Sequence, residues 1–246
     1  MSTVQLDRSG SGRPLEDPAA TYYKGTIGRH YHARRGAARS ERAQANRADT
    51  LRPWVDGLST VVDFGCGDGG VLSRLDVGQR IGIEVSEDMA DRARRRGLHV
   101  VSALDALGSS IADAVIFSHS LEHLASPAST LLKVKDVLRP GGRVVILLPA
   151  ESPSHRDHRT WRPNTDRHLF SWTPLTIGNL LNSCGFDLAF ARLQAPVTRS
   201  RLVHSLGLTP ALQRSLSAWR ARFLRRMEIL AVAFRPTRGA SPGPGS

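Results

Sequence analysis

The run Val61-Val62-Asp63-Phe64-Gly65-Cys66-Gly67-Asp68-Gly69-Gly70 leads a β-branched, apolar strand straight into a turn with four glycines in six residues. Glycine is needed where the backbone takes positive φ, or where it must approach a ligand with no Cβ in the way. The run therefore dictates a strand–turn–helix unit of an α/β sheet, and its turn reads as a cradle for a nucleotide-type cofactor. A tight turn that holds nothing is the competing reading, and the density of glycines weighs against it.

The rest of the chain fits a sheet built around that unit. Short apolar runs at 60–64, 80–84, 98–101, 114–118 and 143–148 alternate with helical runs, the order that gives parallel strands with helices on both faces. The segment 86–96 starts with Ser86, Glu87 and Asp88 and stops at Gly97; Ser126-Pro127 and Thr173-Pro174 open two further helices. A helix is expected over 34–51, ending at Pro53, ahead of the core. Two late strands, 186–193 and 228–234, flank a basic helical insertion at 199–227. With 246 residues the chain can bury one core. The expected organisation is a single domain over 21–235, with an N-terminal cap at 21–57, a cofactor-binding core at 58–150 and an acceptor loop at 151–172. Residues 1–20 and 236–246 read as flexible.

Composition excludes several classes. No stretch approaches the apolar length of a membrane span, and the first residues lack the apolar core of a secretion signal, so a cytoplasmic protein with no transmembrane segment is expected. Cys66 and Cys184 have neither disulfide-framework nor zinc spacing and read as reduced core thiols; His155 and His158 make a poor metal pair, so no metal site is expected. The formal net charge of +12 reads as a solvated basic surface or as attraction to anionic partners.

An acid at the end of the second strand, about twenty residues past the glycines, would accept hydrogen bonds from ribose hydroxyls, and Glu84 stands there, followed by Val85. The glycine spacing alone also fits a dinucleotide. Asp63 and Asp68 favour a cationic cofactor over a dinucleotide, since carboxylates face a pyrophosphate unfavourably.

With Asp63 included, the glycine segment resembles motif I of the class I methyltransferases that use S-adenosyl-L-methionine (SAM). Asp113-Ala114-Val115-Ile116-Phe117-Ser118-His119-Ser120-Leu121-Glu122-His123-Leu124 looks like the fourth-strand segment of the ubiquinone- and menaquinone-biosynthesis type. Val137-Leu138-Arg139-Pro140-Gly141-Gly142-Arg143-Val144 looks like the turn before strand five in that group. The resemblance implies an α/β three-layer sandwich: a seven-stranded, mostly parallel sheet of order 3-2-1-4-5-7-6 with helices on both faces. It implies SAM as cofactor, S-adenosyl-L-homocysteine as product, and a cofactor site at Asp63, Gly65, Cys66, Gly67, Gly69, Glu84, Val85 and Ser118. Asp105 is the candidate for adenine, although Ala103 departs from the family pattern there.

Methyl transfer to a hydroxyl gains from a base near neutrality, for which histidine is suited. His119 and His123 follow the fourth strand and His168 precedes a helix; these three are the catalytic candidates. Each has a plainer reading as a hydrogen-bonded structural histidine. Tyr31, His32, His155, His158, Trp161 and Arg167 are the candidates for the acceptor. The segment 161–186 is similar to methyltransferases found with polysaccharide and glycoside assembly enzymes, which implies a small polar acceptor such as a sugar or glycosylated natural product. A methyltransferase for RNA or protein is the alternative, with no RNA-binding module to support it, and an NAD-dependent oxidoreductase is a more remote one. The amphipathic insertion suits packing on the sheet, a homodimer contact or a peripheral membrane surface.

Overall fold

The computed structural model describes residues 20–34, 40–150, 167–196 and 227–237. Apolar side chains at successive positions, rather than at alternate ones, mark strands buried on both faces. That pattern holds for β1 (Thr60–Phe64), β4 (Ala112–Ser118) and the second half of β5 (Leu138–Pro149), which with β2 (Gln79–Ile83) and the edge strand β3 (His99–Val101) lie parallel to one another. Two further strands, β6 (Asp187–Gln194) and β7 (Glu228–Phe234), complete the sheet in the order β3-β2-β1-β4-β5-β7-β6. β7 runs antiparallel to both of its neighbours.

Because neighbouring residues on a strand point to opposite faces, each strand feeds two cores. Val62, Val115, Phe117, Val144, Ile146 and Leu148 pack on one side with the helices α4 (Pro127–Val137) and α5 (Pro174–Ser183). Val61, Ala114, Ile116, Val145 and Leu147 pack on the other with α2 (Glu41–Val55) and α3 (Glu87–Arg95). A short helix, α1 (Gly25–Arg34), precedes them. The helices place small or aliphatic residues on their inner faces: Met89, Ala90 and Ala93 on α3, Leu131, Val134 and Val137 on α4. On α5 the Thr173 hydroxyl accepts the Thr176 N–H while the Thr176 side chain accepts the Thr173 N–H, a reciprocal cap that fixes where the helix begins.

Two boundaries and one helix cap differ from expectation. α2 occupies 41–55 rather than 34–51, because the Ser40 hydroxyl accepts the Ala43 N–H at its start and Pro53 is tolerated in its last turn. A proline there forgoes one late intrahelical bond, and the burial of Leu51 and Val55 outweighs it. Ser86 opens α3 without its side chain capping the helix. β5 begins at Leu138, but its register jumps from Leu138 to Arg143 against β4, so the expected Pro-Gly-Gly turn survives as a bulge between them. Cys66 and Cys184 are buried free thiols. Among the described residues no helix is long and apolar enough to cross a membrane.

Chain order reverses between β1 and β4, which lie side by side. The crevice over their carboxyl ends is where an open α/β sheet receives a ligand.

Candidate functional site

The glycine turn sits in that crevice with the backbone its sequence demands. Gly65 has φ +76°, and a Cβ added there would lie 2.8 Å from the Cβ of Ser120. Both conditions exclude a side chain. Gly65 and Cys66 donate their N–H groups to the Ile83 carbonyl at 2.8 and 3.1 Å, which ties the turn to the end of β2. Gly69, also at positive φ, packs against Ala93 and Leu98, so its lack of a Cβ brings α3 close.

Glu84 fastens the turn from the other side. Its Oε2 accepts the Gly67 N–H at 2.9 Å and its Oε1 accepts the Ser86 N–H at 2.8 Å, bridging the glycine turn and the start of α3. A carboxylate offers about four lone-pair sites, so it can accept a ligand hydroxyl as well as backbone N–H groups.

Asp63 stands at the floor of the cleft, 1 % exposed. Burial, and then the negative charge of Glu84, push its carboxyl up to about 7, with Arg47 opposing them. Its Oδ1 accepts no hydrogen bond among the described residues. The same burial and the nearby Asp63, Glu84 and Asp68 push the Cys66 thiol up, so it stays protonated and is no nucleophile. Asp68 accepts Gln44 Nε2 at 2.7 Å and the Gly70 N–H at 3.2 Å. Gln44 and Arg47 line the cleft from α2. Nothing in the helical pattern of 41–55 distinguishes them beforehand as cleft residues.

Ser118 and His119 close the cleft where β4 ends. His119 is a non-glycine residue at φ +56°, a conformation that costs on the order of 1 kcal/mol or more and aims its side chain away from the strand direction. Its N–H is held by the Leu147 carbonyl at 2.9 Å, and its Nε2 lies 3.1 Å from Glu228 Oε1. Glu228 is the first residue of β7 and pairs with Pro149 at the carboxyl end of β5. Because β7 is antiparallel, its amino end reaches the same edge of the sheet as the carboxyl ends of the parallel strands. Sequence reading took Glu228 only as the start of a strand, and no local signal marks it as the partner of His119.

A second cavity of about 310 Å³ lies beside the first, lined by Tyr22, Tyr23, Ile27, His123, Arg167 and Leu169 among others. The Arg167 guanidinium stacks over the Tyr22 ring at 3.9 Å, a cation–π contact. Tyr31 lines the first cleft and makes edge contacts with Tyr22 and Tyr23 at 5.6 and 5.0 Å, so α1 forms a shared wall between the two cavities.

The candidate residues thus fall into separate groups. Asp63, Gly65, Cys66, Gly67, Ser118, His119 and Tyr31 come together in one cleft, with Glu84 bonded to its glycine turn. His123 and Arg167 border the second cavity, and His168 lies beside His123 with ring centroids 5.0 Å apart. Val85 follows Glu84, half-buried. Asp105 lies apart on an exposed turn, ion-paired with Lys133 at 2.9 Å. His155, His158 and Trp161 lie outside the described residues, as does the side chain of His32.

Comparisons with known proteins agree with the architecture. Residues 31–189 match the family model described as a methyltransferase domain. The chain is 34% identical over 123 residues to an uncharacterised 37.1 kDa protein in transposon TN4556 of Streptomyces fradiae, a match spanning 45% of this chain and 34% of that protein. The chain therefore spans about a third of the length of the curated relative it matches. Among solved structures it is similar to a chain from the complex of the Haloferax volcanii Trm112 methyltransferase activator with a methyltransferase. That likeness has 18% identity and a TM-score of 0.63, covering 87% of this chain and 97% of the other. It is also similar to a SAM-dependent methyltransferase of Archaeoglobus fulgidus, with 19% identity and a TM-score of 0.58, covering 83% of this chain and 99% of the other.

Proposed function

Since the chain belongs to the methyltransferase-domain family, we propose that it moves a methyl group from SAM to an oxygen or nitrogen of a small polar acceptor. The observation that carries this reading is a crevice whose glycine turn is surrounded by carboxylates and whose rim holds a histidine–glutamate pair.

The residues fit SAM in two respects. Gly65 and Gly67 line the cleft at positive φ, and Asp63, buried with Oδ1 unbonded among the described residues, suits a cationic group. A pyrophosphate would meet Asp63 and Asp68 and be repelled. When bound, SAM supplies a methyl group on a positively charged sulfur, already activated for displacement.

The chain's own residues then bind, align and take up a proton. Glu84 and the glycine turn hold the cofactor end of the cleft; Asp63 offers a countercharge in a dry setting, where it acts more strongly than in water. His119 takes the acceptor's proton, and Glu228, 3.1 Å from its Nε2, orients the ring and stabilises the imidazolium that forms. Tyr31 and the aromatic wall behind it exclude water and direct the acceptor towards the cleft. The second cavity is at the lower end of the size range of small-molecule sites, which suits a metabolite better than a polymer.

Titration calorimetry tests the cofactor: SAM and S-adenosyl-L-homocysteine bind, NADH does not. Tight NADH binding with no response to SAM would overturn the reading. An acceptor screen with radiolabelled methyl groups, run at two salt concentrations, separates a neutral small acceptor from RNA, whose binding would fall steeply with salt.

A further inference from the structure

Outside the cofactor cleft the molecule holds a second concentration of ionisable side chains. Glu122 is fully buried, His123 is 8 % exposed, and His168 stands beside them. Glu122 Oε1 lies 3.9 Å from the Nε2 of His123 and 3.9 Å from the Nε2 of His168. One ligand atom from each of the three residues falls within 4.8 Å of the others.

The geometry points to a binding site for one divalent transition-metal cation at Glu122, His123 and His168. Two imidazole nitrogens and a carboxylate oxygen form a donor set that suits zinc, iron(II) or cobalt(II), not the all-oxygen sites of magnesium or calcium. Metal–ligand bonds of about 2.0–2.2 Å bring such ligands within roughly 3–3.5 Å of one another. The two glutamate–histidine separations of 3.9 Å exceed that by roughly half an ångström to one, and the third pair, within 4.8 Å, by up to roughly 1.8 Å, a gap for side-chain rotation to close on binding.

The surroundings hold the ligands in the orientation a cation needs. His123 Nδ1 lies 3.3 Å from the Arg167 carbonyl, an outer bond that makes Nδ1 the donor and turns Nε2 towards Glu122. Arg167 adopts φ +49°, a strained conformation for a non-glycine residue, where it presents that carbonyl. The Glu122 carbonyl accepts the N–H groups of Leu169 and Phe170 at 2.9 and 3.3 Å, strapping the segment that bears His168 onto the turn that bears Glu122 and His123. A buried carboxylate beside two imidazoles is also a place where a positive ion offsets the cost of removing charge from water. Since His123 borders the second cavity, an ion held here lies beside the wall of that cavity.

Sequence spacing misses this set because His168 is far from Glu122 and His123 along the chain and only the 167–170 strap brings it back. The inference is independent of the methyl-transfer reading, as its test uses neither SAM nor an acceptor. The 246-residue chain is stripped with chelator and titrated with cobalt(II), following the visible d–d bands, with zinc(II) as competitor. The expected result is one saturable equivalent, displaced by zinc. His168→Ala should weaken cobalt affinity by more than the roughly 10–100-fold that outer-shell changes cost, and Glu122→Gln should do likewise. His99→Ala, on an exposed residue of β3, and the double variant His155→Ala/His158→Ala should keep the wild-type spectrum. Thermal melts establish that His168→Ala, on a partly exposed side chain, still folds. No saturable band in the wild type, a His168→Ala spectrum equal to wild type, or loss of the band in the His155/His158 variant would each overturn the site.

Discussion

The two cavities are built on different principles. The cleft over β1 and β4 takes its shape from a backbone turn: Gly65 and Cys66 hang from the Ile83 carbonyl, Gly67 and Ser86 share Glu84, and β1 and β2 fix all of them in register. The neighbouring cavity is made of side chains brought from the short helical turn Ala20–Tyr23 and α1, from the turn after β4 and from the segment ahead of α5. A backbone site tolerates little change in shape and so suits a constant ligand. A side-chain site can be refilled one residue at a time, which suits a ligand that varies. His119 stands between them, its backbone fixed by β5 and its ring held by Glu228.

That contrast can be broken most sharply at His119. His119→Ala should lower turnover by about 10²–10⁴-fold with SAM affinity unchanged, measured by steady-state rates alongside calorimetry. If rates hold, alignment alone governs the reaction and the junction between the cavities has no chemical role.

The next largest effect is at Asp63 and concerns stability as well as binding. Its carboxyl rises from 3.8 to about 7 on folding, so the folded state holds a proton that the unfolded state releases between those values. Stability from this group is present below about pH 4 and is lost as pH rises through about 7. Asp63→Asn should therefore raise the stability of the unliganded protein at pH 8 by up to about 4 kcal/mol, read from urea melts at pH 5 and pH 8. A cation favours the ionised carboxylate, so wild-type SAM affinity should weaken as pH falls below about 7, and the Asn variant should lose that slope. A variant no more stable than wild type at pH 8 would mean the cleft floor is not strained by its charge.

A smaller loss is expected at Glu84. Glu84→Ala removes two charge-assisted bonds to Gly67 and Ser86, and should weaken SAM binding by about 10–100-fold while the melting curve stays cooperative. Equal affinity would detach Glu84 from the cofactor. The smallest effect belongs to Asp105, whose exposed pair with Lys133 contributes at most about 1 kcal/mol. Asp105→Ala should leave SAM affinity within about twofold, since no cleft residue depends on it; a larger loss would extend the backbone-built cleft to the adenine end.

What could be read in advance divides along the same line. The strand of Val61 and Val62, the turn at Gly65 and the acid at Glu84 are each specified within a few residues, by apolar runs, by positive φ and by position after a strand. The ends of α2 were misjudged because Pro53 argues locally for a stop, whereas Leu51 and Val55 gain more by packing on the sheet. Gln44, Arg47 and Glu228 were not legible as site residues at all, since each looks like an ordinary polar residue of its own helix or strand.

The amino-acid order by itself determined the alternation of strands and helices, the glycine cradle and the carboxylates around it, because these depend on backbone conformation and on side-chain periodicity within one element. Only the tertiary structure decided that the amino end of an antiparallel β7 would bring Glu228 to His119, and that the residues after 167 would carry His168 to Glu122. Such meetings are set by sheet order and strand direction, which follow from how two cores fill, and no local stretch of chain encodes them.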